Sequence, residues 1–156
     1  MQNEKAVTTL NKLIEINNDR IEGYQTAFKE TNETDLQALF AGMIATSEQC
    51  KDELEEEVKS LDGEPTEGTK VSGKFFRVWM DMKAALTGKD RKRILESCEF
   101  GEDHAVKTYD DVIRDDRNFL TAGQLEMITE QRELIKEQHD EIKSLRDMFV
   151  EEKAGR

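Results

Sequence analysis

The sequence is poor in proline and cysteine and lacks long uncharged runs. It holds one proline and two cysteines in 156 residues. Proline interrupts helices, so a chain with a single proline can form long ones, and two cysteines provide neither a disulfide framework nor a zinc-type cysteine pair. The longest uncharged run, residues 36–47, has 12 residues, whereas a bilayer span needs about 20 apolar ones. We therefore expect no membrane-spanning helix.

Positive charge is also scarce. The 23 Lys and Arg residues face 35 Asp and Glu, which leaves a formal net charge of −12. Nucleic acids and anionic lipids bind basic surfaces, so neither is an expected partner. The locally basic run 89–93 carries no aromatic residue, which indicates a solvated helix start rather than a nucleic-acid site. The chain begins without the apolar segment of a secretory signal, and we expect a cytoplasmic protein.

Helical periodicity is present along almost the whole chain. Apolar residues recur every three or four positions over four segments, about 4–30, 36–61, 90–114 and 121–152, as in helices that bury one face. Short polar turns follow the first and third segments. A stretch with glycines and the proline, then a short helix at about 74–86, separates the second from the third. Two hairpins joined by a long crossover predict an all-α, ferritin-like four-helix bundle that forms one domain over residues 1–156.

Each apolar stripe is interrupted by polar residues near its middle. These are Asn17 in the first, Ser47 beside Cys50 in the second, Glu102 in the third, and His139 beside Gln138 in the fourth. Burying such groups costs about 1–3 kcal/mol each unless they are hydrogen-bonded. We therefore expect them to meet one another or a ligand.

Three stretches carry a resemblance to a known family. They are INNDRIEGY (16–24), AALTGKDR (84–91) and GED (101–103). Together they resemble the PA2169/DUF2383 family, which consists of bacterial four-helix-bundle proteins of uncharacterised function grouped with the ferritin-like superfamily. The resemblance covers nearly the whole chain. It implies a ferritin-like bundle and no established reaction.

The same resemblance allows a comparison with ferritin-like di-iron proteins such as rubrerythrins. Their ligand pattern is Glu, Glu-x-x-His, Glu and Glu-x-x-His on successive helices. In this sequence the pattern falls on Asn17, Ser47, Cys50, Glu102, Lys136 and His139. Lys136 stands at one of the carboxylate positions and would repel the cations, so we expect a degenerate di-metal site.

His139 has two interpretations. It is either a buried histidine hydrogen-bonded to Glu102 or Asn17, or a ligand of a mononuclear site with Glu102 and Cys50. A His–Glu–Cys group suits zinc or iron. A phosphotransfer role is excluded, because His139 lies on the apolar stripe and no His-x-x-Lys-Gly motif surrounds it.

The leading interpretation of function is a non-catalytic bundle that associates with itself or with another protein. Phe75, Phe76, Trp79, Met80 and Met82 crowd onto the short crossover helix, and a helix that is apolar on more than one side must be covered on more than one side. The bundle can cover one side, and the other side is either a dimer or partner interface or is tucked across the end of the bundle. The alternative is a metal-binding protein, or a weak metal-dependent oxidoreductase, that uses Glu102 and His139. The sequence indicates no definite cofactor, and the alternative would use iron, manganese or zinc. No nucleophile elbow, phosphate loop or dinucleotide fingerprint points to an enzyme.

Overall fold

The computed structural model describes residues 2–68, 83–85, 87–88 and 90–154. No strand occurs in these ranges, and the predicted all-α helical bundle is confirmed. The predicted ends of the four long helices lie within two residues of the observed ones. The described long helices are α1 (Gln2–Glu30), α2 (Thr34–Ser60), α3 (Arg91–Asp115) and α4 (Ala122–Ala154), with a 3₁₀ turn at Arg117–Phe119 between the last two.

Contacts between helices define the topology. α1 packs mainly against α2, and α3 against α4. α1 also runs antiparallel to α3, since Asn17 meets Tyr109 whereas Arg20, further along α1, meets Glu102, which is earlier in α3. α2 and α3 are both antiparallel to α1 and therefore point the same way. The connection 61–90 must travel the length of the bundle.

The start of that connection is fixed by the end of α2. The backbone N–H groups of Asp62 and Gly63 donate to the Lys59 and Val58 carbonyls, both at 3.0 Å, and Asp62 has a φ of 60°. This pair of bonds is the Schellman ending of a helix. A Cβ on Gly63 would lie 2.7 Å from a methyl group of Val7, so the close approach of the connection to α1 requires glycine here.

Asparagines of α1 then hold the next residues of the connection. Asn11 donates to the Glu64 carbonyl at 3.1 Å and accepts from the Thr66 amide at 3.0 Å. About two helical turns further along α1, Asn18 donates to the Gly68 carbonyl at 2.9 Å. The connection therefore starts back along α1.

The cluster around Phe75 and Trp79 lies outside the described residues, as does most of the predicted short helix. Residues 83–85 are helical. In the described parts of the chain, no helix is both long enough and apolar enough to cross a membrane.

The bundle core consists of two apolar clusters, and each contains residues from all four long helices. The first includes Leu10 and Ile14 of α1, and the second includes Tyr24, whose ring stacks on Phe40 at 5.6 Å between centroids. Between the clusters the buried residues are polar. That break positions the candidate site.

Candidate functional site

A polar layer crosses the bundle between the two apolar clusters. On each helix it falls at the same height, at residues 17–20 of α1, 47–50 of α2, 102 of α3 and 138–139 of α4. Asn17, Arg20, Ser47 and Glu102 are at most 1% exposed. Unpaired groups at this depth would cost the fold several kcal/mol in total, so their partners are decisive.

A bidentate ion pair forms the centre of the layer. Arg20 donates from Nε to Glu102 Oε2 at 2.9 Å and from Nη2 to Oε1 at 2.5 Å. Two parallel N–H···O bonds of this kind are the strongest arrangement an arginine and a carboxylate make. Both side chains are at most 2% exposed. A buried charge without its partner is very costly, so each of these residues requires the other.

The remaining donors of Arg20 reach the other two helices. Nη1 donates to Ser47 Oγ of α2 at 2.5 Å, and Nη2 also donates to Gln138 Oε1 of α4 at 2.9 Å. The Gln138 amide in turn donates to Thr46 Oγ1 at 2.8 Å. One guanidinium of α1 therefore bonds to side chains of the three other helices.

A second set of hydrogen bonds runs beside the ion pair. Asn17 Nδ2 donates to Tyr109 Oη at 2.9 Å, and the Tyr109 hydroxyl donates to Gln131 Oε1 at 2.7 Å. Gln131 Nε2 then donates to the Cys50 carbonyl at 3.2 Å. This set also connects all four helices. Asn17 Oδ1 is buried and has no hydrogen-bond partner among the described residues.

Burial changes the acid–base properties of the layer. Desolvation alone would lower the pKa of Arg20, but the adjacent Glu102 carboxylate outweighs it and holds that pKa above its usual value. Desolvation raises the pKa of Tyr109 well above its usual 10 and raises the pKa of Cys50 from 9 to about 11. Cys50 is therefore a neutral thiol at pH 7, whereas a metal ligand or nucleophile is a thiolate.

The stretch 16–24, which carries the family resemblance, supplies the α1 side of this layer. Asn17 and Arg20 provide its two donors, and Asn18 holds the connection that leaves α2. Tyr24 lies below the guanidinium, with its ring centre 5.8 Å from the Arg20 Cζ atom. Asn17, Asn18 and Arg20 of this stretch thus donate to structural partners within the chain.

His139 lies at the edge of the layer and faces outward. Its Nε2 is 2.5 Å from Asp103 Oδ1 and its Nδ1 is 3.0 Å from Asp140 Oδ1. The expected hydrogen bond to Glu102 or Asn17 is therefore wrong, because both ring nitrogens of His139 face aspartates instead. A ligand atom of Glu99 lies within 4.8 Å of the ligand atoms of Asp103 and His139. We call His139, Asp103 and Glu99 the outer group.

The predicted ligands Glu102, His139 and Cys50 have separate surroundings. Glu102 is paired with Arg20, His139 with two aspartates, and the Cys50 thiol is buried beside Tyr109. Among the described residues, the carboxylates whose ligand atoms converge with His139 are Glu99 and Asp103. The set of Glu102, His139 and Cys50 stays a prediction.

The residues around Glu102 do not fit two iron ions. A di-iron centre needs several carboxylates that bridge and neutralise the cations. Here both Glu102 oxygens accept hydrogen bonds from a guanidinium, and the other groups against that guanidinium are a hydroxyl and an amide. Lys136, at the position of another expected carboxylate, pairs with Asp140 at 2.8 Å.

Arg20 is the central residue that the sequence analysis missed, and Gln138 was named there only as the neighbour of His139. Both were visible as polar residues on or beside a stripe. Arg20 is three positions after Asn17 and four before Tyr24, which places all three on one helix face. His104 of α3 is half-buried.

Comparison with protein-family models identifies one match, described as a domain of unknown function, DUF2383, over residues 5–115. No curated protein matches the chain. The matched region contains most of α1 and all of α2 and α3, and with them Arg20, Ser47 and Glu102 of the polar layer. It covers more than two-thirds of the sequence, and the chain therefore belongs to the DUF2383 family.

Proposed function

We propose that this chain is a non-catalytic bundle of ferritin-like plan that acts by association with a second copy or another protein. An arginine–carboxylate pair takes the interior place of a di-metal centre. The topology supports the ferritin-like part, since two antiparallel hairpins are joined by a connection that travels the bundle's length. The chemistry of the interior supports the non-catalytic part.

The observation that carries this proposal is the Arg20–Glu102 pair. The guanidinium is a fixed cation at the height where ferritin-like proteins hold metal, and it takes both oxygens of Glu102. A dication entering here would meet a positive charge and lose its carboxylate ligand. An internal cation in place of a metal still connects the helices through its hydrogen bonds, but it offers a substrate no open coordination position.

Iron oxidation tests the non-catalytic part. Protein supplied with two equivalents of Fe²⁺ in air should oxidise iron no faster than buffer does, followed by absorbance near 310 nm. Oxidation that is faster than buffer and is lost in Glu102→Gln but kept in His139→Ala would contradict the proposal. The second variant matters because it removes the outer group and leaves the ion pair intact.

The association part rests on the sequence of the crossover helix predicted at about 74–86, most of which lies outside the described residues. Trp79 and its apolar neighbours need cover on more than one side. Size-exclusion chromatography with light scattering should give an oligomer for the wild type and a smaller species for Trp79→Ala. A monomer in both cases would remove the association idea. Ala84→Ser, an exposed change in the same part of the chain, is the control.

One observation favours the alternative of a metal-binding protein. His139 faces two carboxylates rather than the ion pair. Glu102 is committed to Arg20, so the support concerns His139 and not Glu102.

A further inference from the structure

We propose that the outer group, Glu99, Asp103 and His139, is a binding site for one divalent cation of borderline hardness such as Zn²⁺. The site lies between α3 and α4 on the outside of the bundle. It offers one imidazole nitrogen and two carboxylates, the donor types that structural and catalytic zinc sites combine. A hard cation such as Mg²⁺ would prefer oxygen ligands alone.

The three donors converge before any ion arrives. Glu99 and Asp103 are four residues apart on α3, so their side chains lie on one helix face, and His139 reaches them from α4. Their ligand atoms lie within 4.8 Å of one another. Zinc bonds of about 2.0–2.2 Å place two ligands of one ion roughly 3–4 Å apart. Rotation of the two carboxylates closes the difference, and the helices do not have to move.

The imidazole is oriented for this role by a second carboxylate. His139 Nδ1 is 3.0 Å from Asp140 Oδ1, and that carboxylate is held at 2.8 Å by Lys136 Nζ. Metal-binding histidines commonly donate their second ring N–H to a carboxylate, which fixes the tautomer and aims the free nitrogen. Here the protonated Nδ1 of His139 would keep its hydrogen bond to Asp140, and the unprotonated Nε2 would bind the ion. His139 itself is 8% exposed, so packing restricts its rotation.

Charge and access also suit a dication. Two carboxylates and a neutral imidazole balance a 2+ ion, and Asp103 is 60% exposed and lines an open groove with His139. Among the described residues, Arg146 forms an ion pair with Glu99 and therefore competes with a metal ion for that carboxylate. Arg146 also pairs with Asp147 at 3.1 Å. Metal binding would release Arg146 from Glu99 and leave it on Asp147.

This site shares no side chain with the Arg20–Glu102 pair. Either proposal can therefore fail alone. Zinc bound by the outer group would leave the interior unchanged, and an interior metal would not need His139.

Nitrogen-15 spectra of the two histidines test the proposal directly. The chain contains only His104 and His139, so long-range correlations assign each ring nitrogen. On addition of one equivalent of Zn²⁺ we expect the His139 Nε2 resonance to shift and saturate, with Nδ1 still protonated and His104 unchanged. No response of His139, or binding through Nδ1, would overturn the proposal.

Variants then separate a metal site from a structural ion pair. Zinc titrations by calorimetry should give at least about a tenfold weaker affinity for Asp103→Asn and about a tenfold weaker one for Asp140→Asn. Arg146→Gln should bind zinc more tightly than wild type, because it frees Glu99. The matched control is Glu96→Gln, an exposed glutamate one turn earlier on α3, which should leave the affinity unchanged. Equal zinc affinity in Asp103→Asn and wild type, or weaker binding in Arg146→Gln, would contradict the site.

Discussion

Glu102 and Asp103 are neighbours in the chain, yet they belong to opposite environments. Glu102 is fully buried and bonded to Arg20, whereas Asp103 is 60% exposed and faces His139. The Arg20–Glu102 contact lies in the interior of the four-helix bundle, and the Asp103–His139 contact lies across a groove between α3 and α4. The same carboxylate chemistry is thus structural at one position and accessible at the next.

The difference shows how burial decides what a carboxylate can do. In the interior, separating the charges leaves one of them unsolvated, so the pair stays closed and the carboxylate is unavailable to ligands. At the surface, water stabilises either charge and exchange of partners costs little. We therefore expect the Arg20–Glu102 pair, the inner pair, to specify the packing of the bundle. We expect the outer group to stay available to a metal ion.

The largest effect is expected when the inner pair is broken on one side. Glu102→Leu leaves Arg20 buried without its counter-charge and should lower the free energy of unfolding by about 3–5 kcal/mol in urea titrations. The double variant Arg20→Met/Glu102→Leu should recover most of this loss, because it removes both charges. Glu96→Gln is the surface control. Additive single and double effects would show that the two residues are not coupled.

Alkaline pH should weaken the interior as a whole. The Cys50 pKa is raised by desolvation to about 11, and desolvation also raises those of Tyr24 and Tyr109 above 10. The folded state holds these protons more tightly than the unfolded state does, so stability is unaffected below about pH 9 and falls as pH rises from 9 towards 11 and beyond. Absorbance at 295 nm should report tyrosinate only as the protein unfolds. Ionisation of either tyrosine near pH 10 in folded protein would contradict this.

A smaller loss is expected from the second set of hydrogen bonds. Tyr109→Phe removes the hydroxyl that accepts from Asn17 and donates to Gln131, leaving both with an unmet group. The cost should be about 1–3 kcal/mol in urea unfolding. Asn17→Ala/Tyr109→Phe should be less unstable than the sum of its parts, since it removes donor and acceptor together.

The smallest effect on stability belongs to the outer group. Asp103→Asn weakens one exposed partner of His139 and should change the free energy of unfolding by less than about 1 kcal/mol without metal. With zinc present, the wild type should gain stability and Asp103→Asn should gain less. A loss in Asp103→Asn as large as that of Glu102→Leu would erase the contrast between the two regions.

Much of the fold was predictable from the sequence because periodicity reports burial directly. The stripes of Leu10, Leu54 and Ile135 mark helix faces, and the lengths of the connections fix the hairpins. A polar layer was also predictable, since Asn17, Ser47 and Glu102 interrupt those stripes. Phe28 continues the apolar spacing of α1 four residues after Tyr24, yet it is 39% exposed near the end of that helix.

The identity of the layer's central residue was not predictable in the same way. Arginine is rarely fully buried, so a hydrophobic pattern passes over Arg20 and selects the adjacent Ile21. Gln138 and His139 are about 100° apart around the axis of α4, and which of them faces the layer depends on how the helix is rotated in the bundle. Pairings such as Asp103 with His139 depend on the packing of two helices, and spacing along one chain does not contain that information.

The most direct test of this account is anomalous diffraction at the zinc edge from crystals grown with Zn²⁺. The account predicts a peak bonded to His139 Nε2 and the carboxylates of Glu99 and Asp103. It also predicts continuous density for the Arg20 guanidinium against both oxygens of Glu102. A zinc peak inside the bundle on Glu102, with Arg20 turned away, would contradict it.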